Sequence, residues 1–126
     1  MRHLLLCLLI AVPLVASDAK YDGARVHYES HGKGKEAVVF IHGWSCDLTF
    51  WRGQAPVYDA HRSLLIDLPG HGQSDKPDVS YTPERFARAI EAVMRDARDP
   101  DAARRWVEML TGAESRELRI AGGFEP

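Results

Sequence analysis

The chain has 126 residues, of which 45% are hydrophobic and 27% charged, and its formal net charge is −2. That length holds one domain at most, and the near-neutral balance excludes a strong field for nucleic acid or an anionic membrane. Arginines gather in the second half (Arg95, Arg98, Arg104, Arg105, Arg116, Arg119), but acids interleave with them. That is the pattern of a solvated helix surface and not of a nucleic-acid footprint.

The first segment reads as a leader. Arg2 and His3 form a short polar start, and Leu4 to Ala16 is an unbroken apolar run ending in small residues. The run is too short to span a bilayer and has the flanks of a signal peptide. Cleavage is expected after Ala16, Ser17 or Ala19, with Ser17-Asp18-Ala19 closest to the small-x-small rule. An uncleaved N-terminal anchor is the alternative. Residues 1–19 are therefore assigned to the leader, which predicts a secreted or periplasmic protein with no stable membrane insertion after cleavage. The mature chain keeps one cysteine, Cys46, so no internal disulfide holds it together.

Beyond the leader, Arg25 to Glu29 alternates mildly and predicts a strand. His31 to Lys35 is a glycine-bearing turn. Ala37 to Ile41 is a continuous apolar run, expected to be a strand buried on both faces. Phe50 to Tyr58 predicts a short helix, and Ser63 to Leu68 a second buried strand. Pro69 to Val79 is a loop rich in Gly and Pro. Thr82 can cap a helix that begins with Pro83. Phe86, Ala89, Ile90, Val93, Met94 and Ala97 then give one apolar stripe. A further helix from Asp99-Pro100 and a last short strand over Glu117 to Ala121 are expected in a divergent tail, residues 98–126. Strand, strand, helix and strand again indicate an α/β layered fold.

Two segments carry the chemistry. Val38 to Ile41 runs into His42-Gly43-Trp44, and Leu64 to Ile66 runs into Asp67-Leu68-Pro69-Gly70-His71-Gly72-Gln73-Ser74-Asp75. Both follow the carboxyl end of a strand, where open α/β sheets bind ligands. With Val26-His27-Tyr28-Glu29 ahead of them, these segments resemble the start of an α/β-hydrolase. The resemblance covers roughly Val26 to Ala97, and it is closest to the branch of esterases, C–C hydrolases, epoxide hydrolases and dehalogenases. It implies an α/β fold and places residues 20–97 in the N-terminal half of a mostly parallel sheet with flanking helices.

The resemblance also assigns roles. Acyl transfer builds negative charge on a substrate oxygen, and backbone N–H groups aimed at it lower the barrier. His42 and Gly43 would form the oxyanion turn. The Trp44 N–H would be one donor, and the Trp44 ring would line the substrate pocket. Asp67 and Asp75 are expected to hydrogen-bond loop backbone, and His71 to brace the loop.

The family's nucleophile sits on a Gly-x-Ser-x-Gly elbow. No such motif occurs in these residues, nor does a Gly-x-Asp-x-Gly variant, and neither the catalytic acid nor the histidine base is found. A Cys46–His42 pair is a poor substitute, because sequence neighbours rarely align as nucleophile and base. No metal site and no cofactor are expected, since the histidines lack ligand spacing. The chain thus reads as an incomplete α/β-hydrolase, truncated before the elbow and inactive alone. Its parent would cleave a small ester, amide or C–C substrate by a Ser-His-Asp mechanism. Alternatives are a non-catalytic secreted binding module on the same scaffold, and a half that is active with a second chain carrying the elbow.

Overall fold

A computed structural model describes residues 15–98, the side chain of Val15 excepted. The expected tail helix and the strand over Glu117 to Ala121 lie outside the described residues, as does most of the leader. Four strands are formed: β1 (Val15–Tyr21), β2 (Ala24–His31), β3 (Val38–Ile41) and β4 (Ser63–Ile66). A 3-10 helix (Leu48–Gln54) and a short α1 (Ala55–Tyr58) connect β3 to β4, and α2 (Pro83–Asp96) follows the second loop.

The sheet runs in the order β1-β2-β4-β3. β1 pairs antiparallel with β2 over its full length, from Val15 opposite Ser30 to Tyr21 opposite Ala24. β2 pairs antiparallel with β4, and β3 pairs parallel with β4, Ile41 opposite Ile66. The sheet is therefore mixed: an antiparallel hairpin joined to a parallel pair whose connection carries helix, as parallel pairing requires.

β1 was not legible as a strand, because its residues close the leader reading. Its signal lay in the next two residues. Asp22 and Gly23 both take positive φ, 50° and 77°, which is the requirement of the two-residue turn that matches strand twist. An Asp-Gly pair between two candidate strands is a hairpin signature.

The two faces of the sheet are covered differently. Val26, Tyr28, Leu64 and Ile66 form one core with Ala89, Ile90, Val93 and Met94 of α2, and all eight are buried. Phe86 and Ala97, the ends of the apolar stripe, are partly buried against this core. Thr82 caps α2 by accepting from Arg85 N–H at 3.2 Å, with Pro83 at the first helical position. Phe40 packs edge-on to Trp51 and Tyr58, centroids 5.4 and 6.0 Å apart, and His31 adds a ring contact to Tyr58. This is where the 3-10 helix and α1 cover the sheet.

β3 departs from the expected double burial. It has one ladder neighbour among the described residues, and Val38 is 44% exposed. Its continuous apolar pattern is the sequence of an inner strand, whereas here it forms the sheet's outer edge, a position that invites pairing with a further strand.

The Tyr28 hydroxyl donates to Asp96 Oδ2 at 2.8 Å, tying β2 to the end of α2. Burial, reinforced by this carboxylate, pushes the phenol up to about 12 from an ordinary value of 10.0. A raised folded-state pKa stabilises the protonated phenol. That contribution is present below pH 10 and is lost as the pH climbs towards about 12. Urea midpoints measured from pH 8 to 12 should fall more steeply for the wild-type chain than for Tyr28→Phe.

Candidate active site

The loops after β3 and β4 meet at one end of the sheet, and a buried carboxylate joins them. Asp67 follows β4 directly and is 1% exposed. Its Oδ1 accepts from Leu48 N–H at 2.7 Å and its Oδ2 from Gln73 N–H at 2.8 Å. Its backbone carbonyl accepts from the Ser74 hydroxyl at 2.6 Å. One side chain thus fixes the start of the 3-10 helix and the far side of the second loop. Gly72 makes this approach possible. Its φ is +48°, and a Cβ there would overlap the Asp67 carboxyl group. Gly70, at φ +84°, leaves room for the Tyr81 ring in the same way.

Asp75 holds the loop's other end. Its Oδ2 accepts from Arg25 N–H at 2.8 Å, its Oδ1 from Arg25 Nε at 3.2 Å, and its own N–H donates to Arg25 O. The Arg25 backbone N–H and guanidinium hold the Asp75 carboxyl below the usual carboxylate range. Both acids therefore bond backbone, and Asp75 does so to a strand.

The histidines are committed internally. His42 is 3% exposed. Its Nε2 accepts from Leu68 N–H at 3.1 Å, so its proton sits on Nδ1, which donates to Gly43 O at 2.8 Å. His71 repeats the logic: Nε2 accepts from Ser45 N–H at 3.3 Å, and Nδ1 donates to Pro69 O at 3.0 Å. His71 thereby braces Ser45, which takes a left-handed φ of 63°. Neither ring has a nitrogen free to act as a base, and His42 has no contact with Cys46 that would activate the thiol. Ser74 is equally spent. It is 2% exposed, and its hydroxyl accepts from His27 N–H at 2.8 Å while donating to Asp67. Among the described residues, no group of three or more His, Cys, Asp or Glu side chains could hold a metal ion.

A cleft of about 420 Å3 opens between the two loops, lined by Trp44, Ser45, Cys46, Asp47, Gly70, His71, Gly72 and Tyr81. Trp44 is 70% exposed, and its ring lies edge-on to His71 and Phe86, centroids 5.3 and 6.3 Å away. The backbone donors of this turn are unequally used. Ser45 N–H goes to His71 and Cys46 N–H to Gly43 O at 3.1 Å. Among the described residues, no acceptor pairs with Trp44 N–H. Gly43 is not in the left-handed region, and a Cβ on it would meet nothing within 4 Å. The strained backbone of the turn lies instead at Ser45.

The sheet order, the two loops after parallel strands and the cleft between them define an incomplete α/β-hydrolase fold. Comparison with known proteins agrees. The family model of the alpha/beta hydrolase family matches residues 38–113, and the chain belongs to that family. A haloalkane dehalogenase of Agrobacterium fabrum is 38% identical over 78 residues, covering 61% of this chain and 25% of that protein. A pimeloyl-[acyl-carrier protein] methyl ester esterase of Methylococcus capsulatus is 40% identical over 87 residues, covering 68% and 31%. The acetyltransferase component of an acetoin cleaving system from Cupriavidus necator is 49% identical over 77 residues, covering 60% and 21%. Among solved structures, the haloalkane dehalogenase DatA from Agrobacterium tumefaciens C58 superposes with a TM-score of 0.60 at 34% identity, covering 68% of this chain and 29% of that one. The chain thus spans between a fifth and a third of the length of these curated relatives.

The glycines separate loop architecture from open space. Gly72→Ala should cost about 2 kcal/mol or more, from strained φ and the clash with Asp67. Gly43→Ala should stay within about 0.5 kcal/mol of wild type, since the added methyl group meets nothing. Asp67→Ala should cost about 3 kcal/mol, because it strands two N–H donors in the loop junction. Urea denaturation of the three variants checks all three values.

Proposed function

We propose that this chain supplies the oxyanion turn and one wall of the active cleft of an exported hydrolase. The substrate class is a small ester, amide or C–C compound, cleaved by a Ser-His-Asp mechanism. The sequence contains no Gly-x-Ser-x-Gly elbow, and among the described residues neither His42 nor His71 has a free nitrogen at the cleft. On this reading the 126 residues alone turn nothing over, and the nucleophile comes from sequence that this chain does not contain.

The observation that carries the reading is the unpaired Trp44 N–H at the cleft, beside two neighbouring amides that are used internally. A donor held by a rigid loop and left without an acceptor is what oxyanion stabilisation needs. Its worth lies in being in place before charge develops. His42 supports it from below by bonding Gly43 O and Leu68 N–H, so the turn and the second loop move as one piece. The exposed Trp44 ring would meet the apolar part of the substrate. The relatives include a dehalogenase, an esterase and an acetyltransferase component, so the scaffold does not choose the reaction. The leader-like apolar run that begins at Leu4 supports export.

The test uses a chimera in which residues 38–97 replace the matching stretch of the Methylococcus capsulatus esterase. The chimera should hydrolyse a methyl ester. Trp44→Pro, which removes the N–H as well as the ring, should lower kcat by about 10²–10³ and raise KM as loss of the ring alone does. Trp44→Ala keeps the N–H and should lower kcat far less while raising KM. Equal kcat values for the two variants would remove the oxyanion role. The 126-residue chain alone should leave p-nitrophenyl butyrate at its background rate.

A further inference from the structure

The three bonds at which sequence rules would cut the leader, after Ala16, Ser17 and Ala19, all lie inside β1. We infer that Asp18 and Ala19 belong to the mature protein, as a strap that holds the cleft loop, and that any leader cleavage falls before Asp18. This goes beyond the reading of function and holds whether or not the chain is exported.

Three observations carry it. Pairing comes first: five of the seven β1 residues, each registered opposite a β2 residue, would be lost by a cut after Ala19. That would leave the hairpin turn with a two-residue stub and expose the β2 edge. Burial is the second. Ala19 is 1% exposed, inside the core that β2, β4 and α2 share, and its loss would open a gap against α2.

The third observation is chemical, and it links the strand to the cleft. Asp18 Oδ1 accepts from His27 Nδ1 at 3.1 Å, and Oδ2 accepts from Arg25 Nη1 at 3.2 Å. His27 Nε2 in turn accepts from the Gln73 side-chain amide at 3.2 Å, and Arg25 Nη2 donates to Gln73 O at 3.1 Å. Asp18 therefore orients two side chains that both grip Gln73, next to the cleft-lining Gly72. A carboxylate that selects the Nδ1–H tautomer of a buried histidine is a specific arrangement. A discarded leader has no use for it.

The experiment is N-terminal mapping of the full chain after expression with its own leader in a Gram-negative host. Protein recovered from periplasm, membrane and cytoplasm is read by intact mass and terminal sequencing. Hydrogen exchange is then followed on the same species. The expected result is a folded protein whose first residue is Asp18 or earlier, with the β1 amides that face β2 protected. A first residue at Met1 supports the strap and counts against a cleaved leader, so the two readings fail separately. A folded species beginning at Ala19 or Lys20 overturns the inference. So does a longer species in which residues 18 and 19 exchange as fast as unstructured chain.

Discussion

The described structure depends on the Asp67 carboxylate, buried where β4 ends. An ionised group out of water is costly unless its oxygens are taken up by donors. Here each oxygen receives a backbone N–H, one from each loop. The cost of burial is offset only when both loops are in place, so the carboxylate makes the first loop's geometry conditional on the second. The left-handed Gly72, the reach of His42 to Leu68 and the brace from His71 to Ser45 all follow from that junction.

This arrangement explains why the histidines of the two motifs are structural. Each ring uses one nitrogen as acceptor for a backbone N–H and the other as donor to a backbone carbonyl. An imidazole bound at both ends fixes the distance between two stretches of chain as a short strut would. The result is a braced turn in which the Ser45 and Cys46 amides are satisfied and the amide of cleft-lining Trp44 has no acceptor among the described residues. Rigidity at such a place has a chemical use, because a donor that need not reorganise loses nothing when charge appears in front of it.

Much of this was legible in the sequence. The apolar runs at Ala37 to Ile41 and Ser63 to Leu68 announced buried strands, formed as Val38–Ile41 and Ser63–Ile66, and Thr82-Pro83 with its stripe announced α2. The two motifs placed the loops at the carboxyl ends of those strands. Other features were hidden for physical reasons. The leader rules and the strand β1 compete for the same small and apolar residues, and composition alone favours the leader. The hairpin turn at Asp22-Gly23 carried the missing information. The edge position of β3 is a property of neighbours: the resemblance, which sets the elbow strand beside β3, implies it, whereas the strand's own residues do not. The Asp18–His27–Gln73 chain joins residues far apart in sequence, and no local pattern marks it.

The loop junction protects some amides and leaves that of Trp44 available. Residue-resolved amide exchange on the full chain tests it most directly. The Leu48 and Gln73 amides should be protected together, since one carboxylate holds both. Ser45 and Cys46 should show intermediate protection, and Trp44 should exchange close to the rate of an open amide. Protection of Trp44 equal to that of Leu48 would contradict the account, as would rapid exchange at Leu48 and Gln73.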